Sequence, residues 1–598
     1  METTEKTLLT QSPEIVTYSV KVNNVEIEKK HQLVSITIET GINKVPFANI
    51  IINDGEASIE DFAIDSSGVF EPGNKIEIQL GYQNDKKGNV TVFKGLIKKN
   101  NHKINNHCSE LNIECKHEAD IMTLTSNSSC APQNSNIGDI IKNILKANHL
   151  DDSCVAHTKA TLQQAMQLNV SDWDFIMGTI DKAGMLCTFP KSVITIKNPP
   201  STSSSVDSNK NDSAPGKTDA VPADGDPILA YGHNILEFDA DNDPRVESTM
   251  IQVSTWDYRK QAISKVENDE DLSNVKDSQL YNFITINAPT SLPPDEAQLM
   301  ANSKALLQRL SKIKGTVIYQ GSTEIEVGTF ARLKGLGKGF EGRAFISNII
   351  HEYADGCWKT TAALGMDGKF YTEQTNPSHS ASSSGQPSSI QGLHIGKVTN
   401  IEDKDGDYRV KVKLPMVDNT GEGLYARVAT LDAGNKRGTF FRPELDDEVV
   451  LGFMNDDPSN PVILGMLHST ALPSPIEPEK KNNKKGYVSR SAIKLLFDDE
   501  AKSVRIETPG KRIVELNDQA GTITLQDDNH NVITMDKNGI SIKSGADMNF
   551  EAKGKISMKA GSEFAAKANA AVNIEGKGPV TVKSSANTVI KGTVVMIN

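Results

Sequence analysis

The sequence predicts a mainly β protein with some α, ending in a triple-stranded β-helix (β-prism) to which three chains each contribute one side. Three observations carry this expectation. The last 59 of 598 residues repeat every eight without a slip. Short alternating strands with Gly-containing turns fill most of the rest, with clear helix signals at only three places. Two Ser-rich stretches divide the chain.

The first block spans 1–375. Asn136, followed by Asp139, can cap a helix carrying Ile137, Ile140, Ile141, Ile144 and Leu145 on one side. Ser171 with Asp174 makes a start like a capping box. Trp173, Ile176, Met177 and Ile180 follow at i, i+3, i+4 and i+7, with Gly184 as the stop. That stripe reads as a packing face rather than a cofactor site. Pro294, Asp295 and Glu296 open a third helix with Leu299, Leu306, Leu307 and Leu310, which Gly315 is expected to end. The stretch 199–226 is rich in Ser, Pro, Asp and Lys, buries too little apolar surface to order itself, and reads as a disordered insert. Strands such as GTVIYQ and RAFISNIIHEYADGCWKTTAALGM suggest barrels or small sheets on either side of the helices.

Residues 376–391 form a flexible Ser-rich linker. From 392 to 470 the pattern is all β. HIGKVTNIEDKDGDYRVKVKLPMV holds two alternating strands joined through Asp405-Gly406, and YARVATL, GTFFRPELDDEVVLGFM and PVILGMLHS bring the total to about five, enough for a Greek-key barrel of the OB kind. A Pro- and Lys-rich linker, 471–487, leads to a β-helix over 488–598, in which less regular strands precede strict octads from 540.

In the octads one apolar register runs Ile540, Met548, Ile556, Phe564, Val572, Val580, and a second, two residues on, runs Ile542, Phe550, Met558, Ile574, Val582, Ile590. Alternation puts both on one strand face. The fourth position is always charged (Lys543, Glu551, Lys559, Lys567, Glu575, Lys583, Lys591), and the fifth always small (Ser544, Ala552, Ala560, Ala568, Gly576, Ser584, Gly592). Such repeats bury their apolar face only by stacking. Eight residues make one side of a coil. One chain folding all three sides would give fewer than three coils, about the minimum for stability, whereas three chains giving one side each build a long prism without lateral edges. The trimer is the favoured reading, and a small monomeric solenoid appended to an enzyme is the alternative.

Composition excludes several classes. A net charge of −13 argues against nucleic-acid binding, although the octads themselves carry eight Lys against one Asp and three Glu. No stretch approaches the roughly 18 apolar residues of a membrane span, and the N-terminus lacks the basic start and apolar run of a signal peptide. Six cysteines do not make a disulfide framework. His107, Cys108, Cys115 and His117 match no zinc spacing; Leu111, Ile113, Cys115 and His117 alternate as a packed strand face. Glu444, Asp446, Asp447 and Glu448 cannot converge from consecutive strand positions and read as a solvated barrel edge. No G-x-S-x-G, H-E-x-x-H or P-loop string occurs. Gly335-Leu336-Gly337-Lys338-Gly339 reads as a turn between strands rather than a phosphate cradle. No catalytic residue, metal site or cofactor is expected.

Taken in order, these pieces resemble the VgrG spike proteins of type VI secretion and related contractile injection machines, which are similar to phage tail hub and needle proteins. The residues that carry the resemblance in the barrel are Gly396-Lys397-Val398, Arg409-Val410-Lys411-Val412, Ala426-Arg427-Val428, Arg442-Pro443-Glu444, Asp447-Glu448-Val449 and Asp457-Pro458, with Pro461 and Gly465. Upstream it rests on Ser171-Asp172-Trp173-Asp174-Phe175 and Asn43-Lys44-Val45-Pro46. Tyr425 stands where the family often has Trp, and Asp446 and Asp456 stand where Gly is common. The resemblance implies a homotrimer with a tandem β-barrel hub that docks on a hexameric Hcp-like tube, an OB-fold collar and a needle. A PAAR-like tip protein would sit on Met596, Ile597 and Asn598, with baseplate components and effectors as further partners. The target membrane would be met only by puncture. The protein would be assembled in the cytoplasm and exported by the machine without a signal peptide. Only some twenty residues separate Leu467 from Tyr487, too few for the lysozyme domain of some phage relatives; the sequence stops within the octad register, so no effector domain is expected after the needle, and no H-x-H string occurs near the end. The rival classes are an exported carbohydrate-active or cell-wall enzyme with a β-solenoid and, nearer, the spike of a phage or extracellular injection particle.

Overall fold

A computed structural model describes residues 15–28, 32–83, 88–106, 108–200, 226–257, 259–269, 282–288, 292–375, 390–417 and 421–597. His107, nearly all of the 199–226 insert, the linker from 376 to 389 and Asn598 lie outside the described residues. The chain falls into two compact units, Met1–Leu472 and Pro473–Asn598.

In the first unit the expected tandem barrels are joined as a single 13-stranded sheet serving two cores. The strand Gly342–Ala354 makes the connection, pairing antiparallel with Leu33–Gly41 on one side and with Cys357–Leu364 on the other. One core gathers Ile36, Ile38, Ile50, Ile52, Ile78, Phe93, Leu111 and Ile113. The other gathers Leu229, Val317, Tyr319, Leu333 and Phe345. Period-two alternation explains the inward sets: in the strand Ser109–Lys116, Leu111, Ile113 and Cys115 are fully buried and their neighbours are not. Burial raises the Cys115 thiol well above its ordinary pKa. His117 lies past the strand end and caps a short turn, its Nδ1 accepting the Ala119 N–H at 3.0 Å while Nε2 donates to the Ser192 carbonyl at 3.0 Å. Cys115 and His117 therefore serve separate structural ends.

The helices start where their caps predict. Asn136 accepts the Gly138 N–H at 2.9 Å ahead of the helix Ile137–Ala147. Ser171 accepts the Asp174 N–H at 3.1 Å and donates to its carboxylate at 2.6 Å, opening the helix Asp172–Lys182, and Gly184 beyond it is left-handed at φ 65°. The third helix, Pro294–Arg309, corrects one expectation: it ends with Leu310 as its C-cap, not at Gly315. Gly315 lies in the strand Ile313–Gln320, where a Cβ would stand 2.1 Å from the Asp239 carbonyl of the neighbouring strand. The glycine permits a close approach of two strands rather than stopping a helix. Gly335 and Gly337, at φ 73° and 83°, form the expected turn after the strand Phe330–Lys334.

The barrel closes with five strands in the order His394–Asn400, Val410–Lys413, Leu424–Val428, Pro461–Met466, Glu448–Phe453. Its core is Val398, Val410, Val412, Ala426, Val449, Leu451 and Ile463, and Met166 from the first block packs into it. Gln164 fastens the two parts: its side-chain oxygen accepts the Tyr425 N–H at 2.7 Å, and its amide donates to the Ser459 carbonyl at 2.7 Å. Arg259 reaches the barrel loop and donates to Asp407 at 2.8 Å. Buried Arg409 grips Asp403 with two bonds of 2.9 Å and also meets Asp405. The Tyr425 ring lies 4.8 Å from the Arg409 guanidinium and 5.5 Å from the Lys411 ammonium, so the residue found in place of Trp serves as a cation–π platform. Asp446 (φ 70°) and Asp456 (φ 57°) are both left-handed, which is why glycine suits those turns. Asp446 pairs with Lys397 at 2.9 Å and the Asp447 carboxylate accepts the Glu444 N–H at 2.8 Å, so this acidic run organises a barrel corner.

Candidate self-assembly surface

The second unit opens with a seven-stranded antiparallel meander from Lys484–Val488 to Gly539–Lys543. Its first strand begins within the stretch read from sequence as a linker, which ends at 487, and runs on to Val488. The register collects apolar side chains on one face: Leu495 opposite Ile506, Val504 opposite Leu516, Val514 opposite Leu525, Ile523 opposite Met535, and Ile533 opposite Ile542. The opposite face presents Arg505, Glu507, Glu515, Asn517, Thr524 and Thr534, with ion pairs such as Arg505 to Glu515 at 2.9 Å. A two-faced sheet of this kind needs a second layer. Within the unit there is none: Leu495, Phe497, Ile506, Leu516, Ile523 and Leu525 all remain exposed. Alternation in KLLFD, IVELN and VITMD signalled this face before the strict octads begin.

The octads continue the same face. Met535 pairs with Ile540 and Ile533 with Ile542, so the first octad enters in register with the sheet. From there the chain bends at residues 545–546, 553–554, 561–562, 569–570, 577–578, 585–586 and 593–594, each time just after the small fifth residue. Every predicted core side chain is exposed in the single chain. Met548 is the least exposed at 42%, and Ile574 and Val582 are the most exposed at 76%. Ile540, Ile542, Phe550, Ile556, Met558, Phe564, Val572, Val580 and Ile590 lie in between. Met596 and Ile597 are exposed at 87% and 86%.

The backbone is as unsatisfied as the side chains. Among the described residues no strand pairing involves 544–597, and no backbone-to-backbone hydrogen bond is made there. A solenoid wound from one chain would stack its own strands and pair them. This segment holds an eight-residue period over seven bends without any such ladder, so its peptide groups and its apolar register are both open to other chains. Its charged fourth positions recur along the chain at octad intervals.

Comparison with known proteins finds family profiles over the N-terminal block, the barrel and the second unit. The family profile described as the Alg8 N-terminal domain matches residues 12–211 and 216–355, more than half of the chain. The profile of the type VI secretion system/phage-baseplate injector OB domain matches 394–468, and that of the phage baseplate V C-terminal trimerisation domain matches 503–598. No curated protein matches the chain. Among solved structures, the half-lidded Francisella PdpA-VgrG complex contains a chain with 11% identity and a TM-score of 0.51, the alignment covering 89% of this chain and 88% of that one. The lidded form of the complex gives 12% identity and a TM-score of 0.51, over 90% and 80%. An Escherichia coli component of the type VI secretion system is similar at 13% identity and a TM-score of 0.45, over 75% and 99%.

Proposed function

The chain belongs to the family of the Alg8 N-terminal domain and is a VgrG-like spike of the phage-baseplate and type VI secretion kind, and from that premise we propose that three copies form a puncturing spike whose role is mechanical. The observation that carries the trimer is the octad segment, periodic yet without a backbone ladder of its own. Three such chains around one axis satisfy both the peptide groups and the apolar register. The product is a closed prism that resists compression, because its strands are paired laterally and its interior is packed.

In this reading the N-terminal block docks on a hexameric Hcp-like tube among baseplate components, and the barrels form a collar. The chain end Met596, Ile597 and Asn598 is the docking point for a PAAR-like tip protein, to which Met596 and Ile597 of the three chains offer apolar side chains. Effectors are further partners; the similar Francisella VgrG is found in complex with a second protein, PdpA. Contraction of a sheath exports the assembled spike, and no step of this action needs catalysis. Among the described residues, no helix is long and apolar enough to cross a membrane.

Limited proteolysis with heating tests the proposal. A C-terminal fragment starting near Lys484 that survives as a heat-resistant trimer supports it. A fragment that is digested as readily as the linkers would contradict it, and activity of the isolated protein on a polysaccharide would favour the enzyme reading.

A further inference from the structure

The first block ends in a short segment strapped across two of its helices. After the strand Cys357–Leu364 the chain runs through Gly368 to the short helix Tyr371–Thr375, and then into the 376–391 stretch that leads to the barrel. Gly368 has no room for a side chain: a Cβ there would stand 2.6 Å from the Gln308 amide, which donates to the Gly368 carbonyl at 2.9 Å. Phe370 joins a core with Met300, Ala301 and Leu307 of the helix Pro294–Arg309, and the Lys304 ammonium lies 4.6 Å from the centre of its ring. Tyr371 reaches the other helix, Asp172–Lys182. Its hydroxyl donates to Asp174 at 2.7 Å and its backbone N–H donates to Asp181.

Charge in this joint is unbalanced. Asp174, Asp181 and Glu373 meet a single cation, Lys304. Lys182, next along the helix, faces Glu296 and Asp457 instead. Two of the carboxylates are well provided for: Asp174 also accepts the Ser171 hydroxyl at 2.6 Å, and Glu373 accepts the Lys304 ammonium at 2.6 Å and the Phe370 N–H at 2.9 Å. Asp181 is not. It is 5% exposed, its carboxylate accepts only the Tyr371 N–H, and among the described residues it joins no ion pair, because Lys304 pairs with Glu373. A buried carboxyl so placed is more stable protonated. Burial, offset only in part by the Tyr371 N–H and Lys304 and reinforced by the Glu373 charge, pushes Asp181 up to about 7.

We propose that the segment from Gly368 to Glu373 is a proton-operated clasp: laid down, it seals Asp181 in its protonated form, and lifting it exposes the carboxyl and releases the proton, so that acid holds the chain's exit toward the barrel closed and alkali loosens it. Docking raises the proton affinity of Asp181 above its ordinary value near 3.8, so the stabilisation is complete below that value and is lost as pH rises through about 7. Glu373 belongs to the segment itself, so the charge that opposes ionisation of Asp181 arrives and leaves with the clasp. Every group involved belongs to one chain, and the clasp is independent of whether three chains assemble. Under the role proposed above, a spike driven between compartments would carry it through any difference in pH between them.

Hydrogen exchange of the full chain from about pH 5 to about pH 8, corrected for the intrinsic pH dependence of exchange, reads the clasp through the amides of Phe370 and Tyr371. Their protection is expected to fall by about tenfold or more across that range while that of the helix Ile137–Ala147 stays level. Asp181→Asn keeps an oxygen for the Tyr371 N–H but cannot titrate, and should flatten the response. Glu373→Gln removes the opposing charge and should move the fall to lower pH. Wild-type protection that stays level, an Asp181→Asn chain that loses it as steeply as the wild type, or a Glu373→Gln chain whose fall stays in place would overturn the clasp. So would a fall shared by the helix Ile137–Ala147, since that marks loosening of the whole block.

Discussion

Replacing Ile556 by Asp puts a carboxylate on the apolar register at its middle. Ile556 is 51% exposed in one chain, so assembly has about half of an isoleucine still to bury, on the order of 1 kcal/mol per chain and about 3 per trimer. The substitution forfeits that and brings three carboxylates together near the axis, where an unpaired ionised group costs several kcal/mol, on the order of 10 in all. The carboxylates escape most of this by taking up protons. Their pKa in the trimer therefore lies above the ordinary value near 3.9, and the trimer is favoured below that value and lost as pH rises through the raised one. Light scattering on a sizing column at neutral pH should show Ile556→Asp as a monomer, with trimer recovered on acidification. Lys559→Asp, at the charged fourth position, should stay trimeric at both. An Ile556→Asp protein that remains an intact trimer at neutral pH would refute the placement of this register on a shared core.

The barrel and the first block yield three more expectations. Arg409→Met strands Asp403, whose side chain is 4% exposed, and should cost about 3–5 kcal/mol in chemical denaturation. Hydrogen bonds from Arg409 hold the Asp403 carboxyl well below the usual range, so its contribution is present at neutral pH and lost as pH falls below about 4; the Met variant should lack that acid-side loss. Ser171→Ala removes the cap of the helix Asp172–Lys182 and should lower stability by about 1 kcal/mol, seen as a lower Tm. Asp456→Gly relieves a left-handed residue and should raise stability by up to about 1 kcal/mol, seen as a slightly higher Tm, and a fall would show that the aspartate side chain matters more than the turn.

Local signals proved readable and distant ones did not. The caps at Asn136 and Ser171 need only their next two or three residues, and the octads advertise themselves by repetition. The five barrel strands are legible because each alternates and each is bounded by a turn. Gly315 was misleading because a glycine after a helical run has the same local look whether it ends the helix or admits a neighbouring strand, and the deciding atom, the Asp239 carbonyl, lies far away in sequence. For the same reason nothing in the sequence pattern reveals that Gly342–Ala354 pairs with Leu33–Gly41, or that Gln164 meets Tyr425 and Ser459. In the self-assembly surface the octad side chains were legible one by one. The apolar face of the preceding meander was visible only as alternation, because its continuity depends on the strand register.

Native mass spectrometry of the full chain tests the trimer most directly. A species at three times the 65.0 kDa of one chain, persisting on dilution, is the expected result. A 65.0 kDa species that stays single at high protein concentration would contradict it, since the octad segment would then have to remain open in solution.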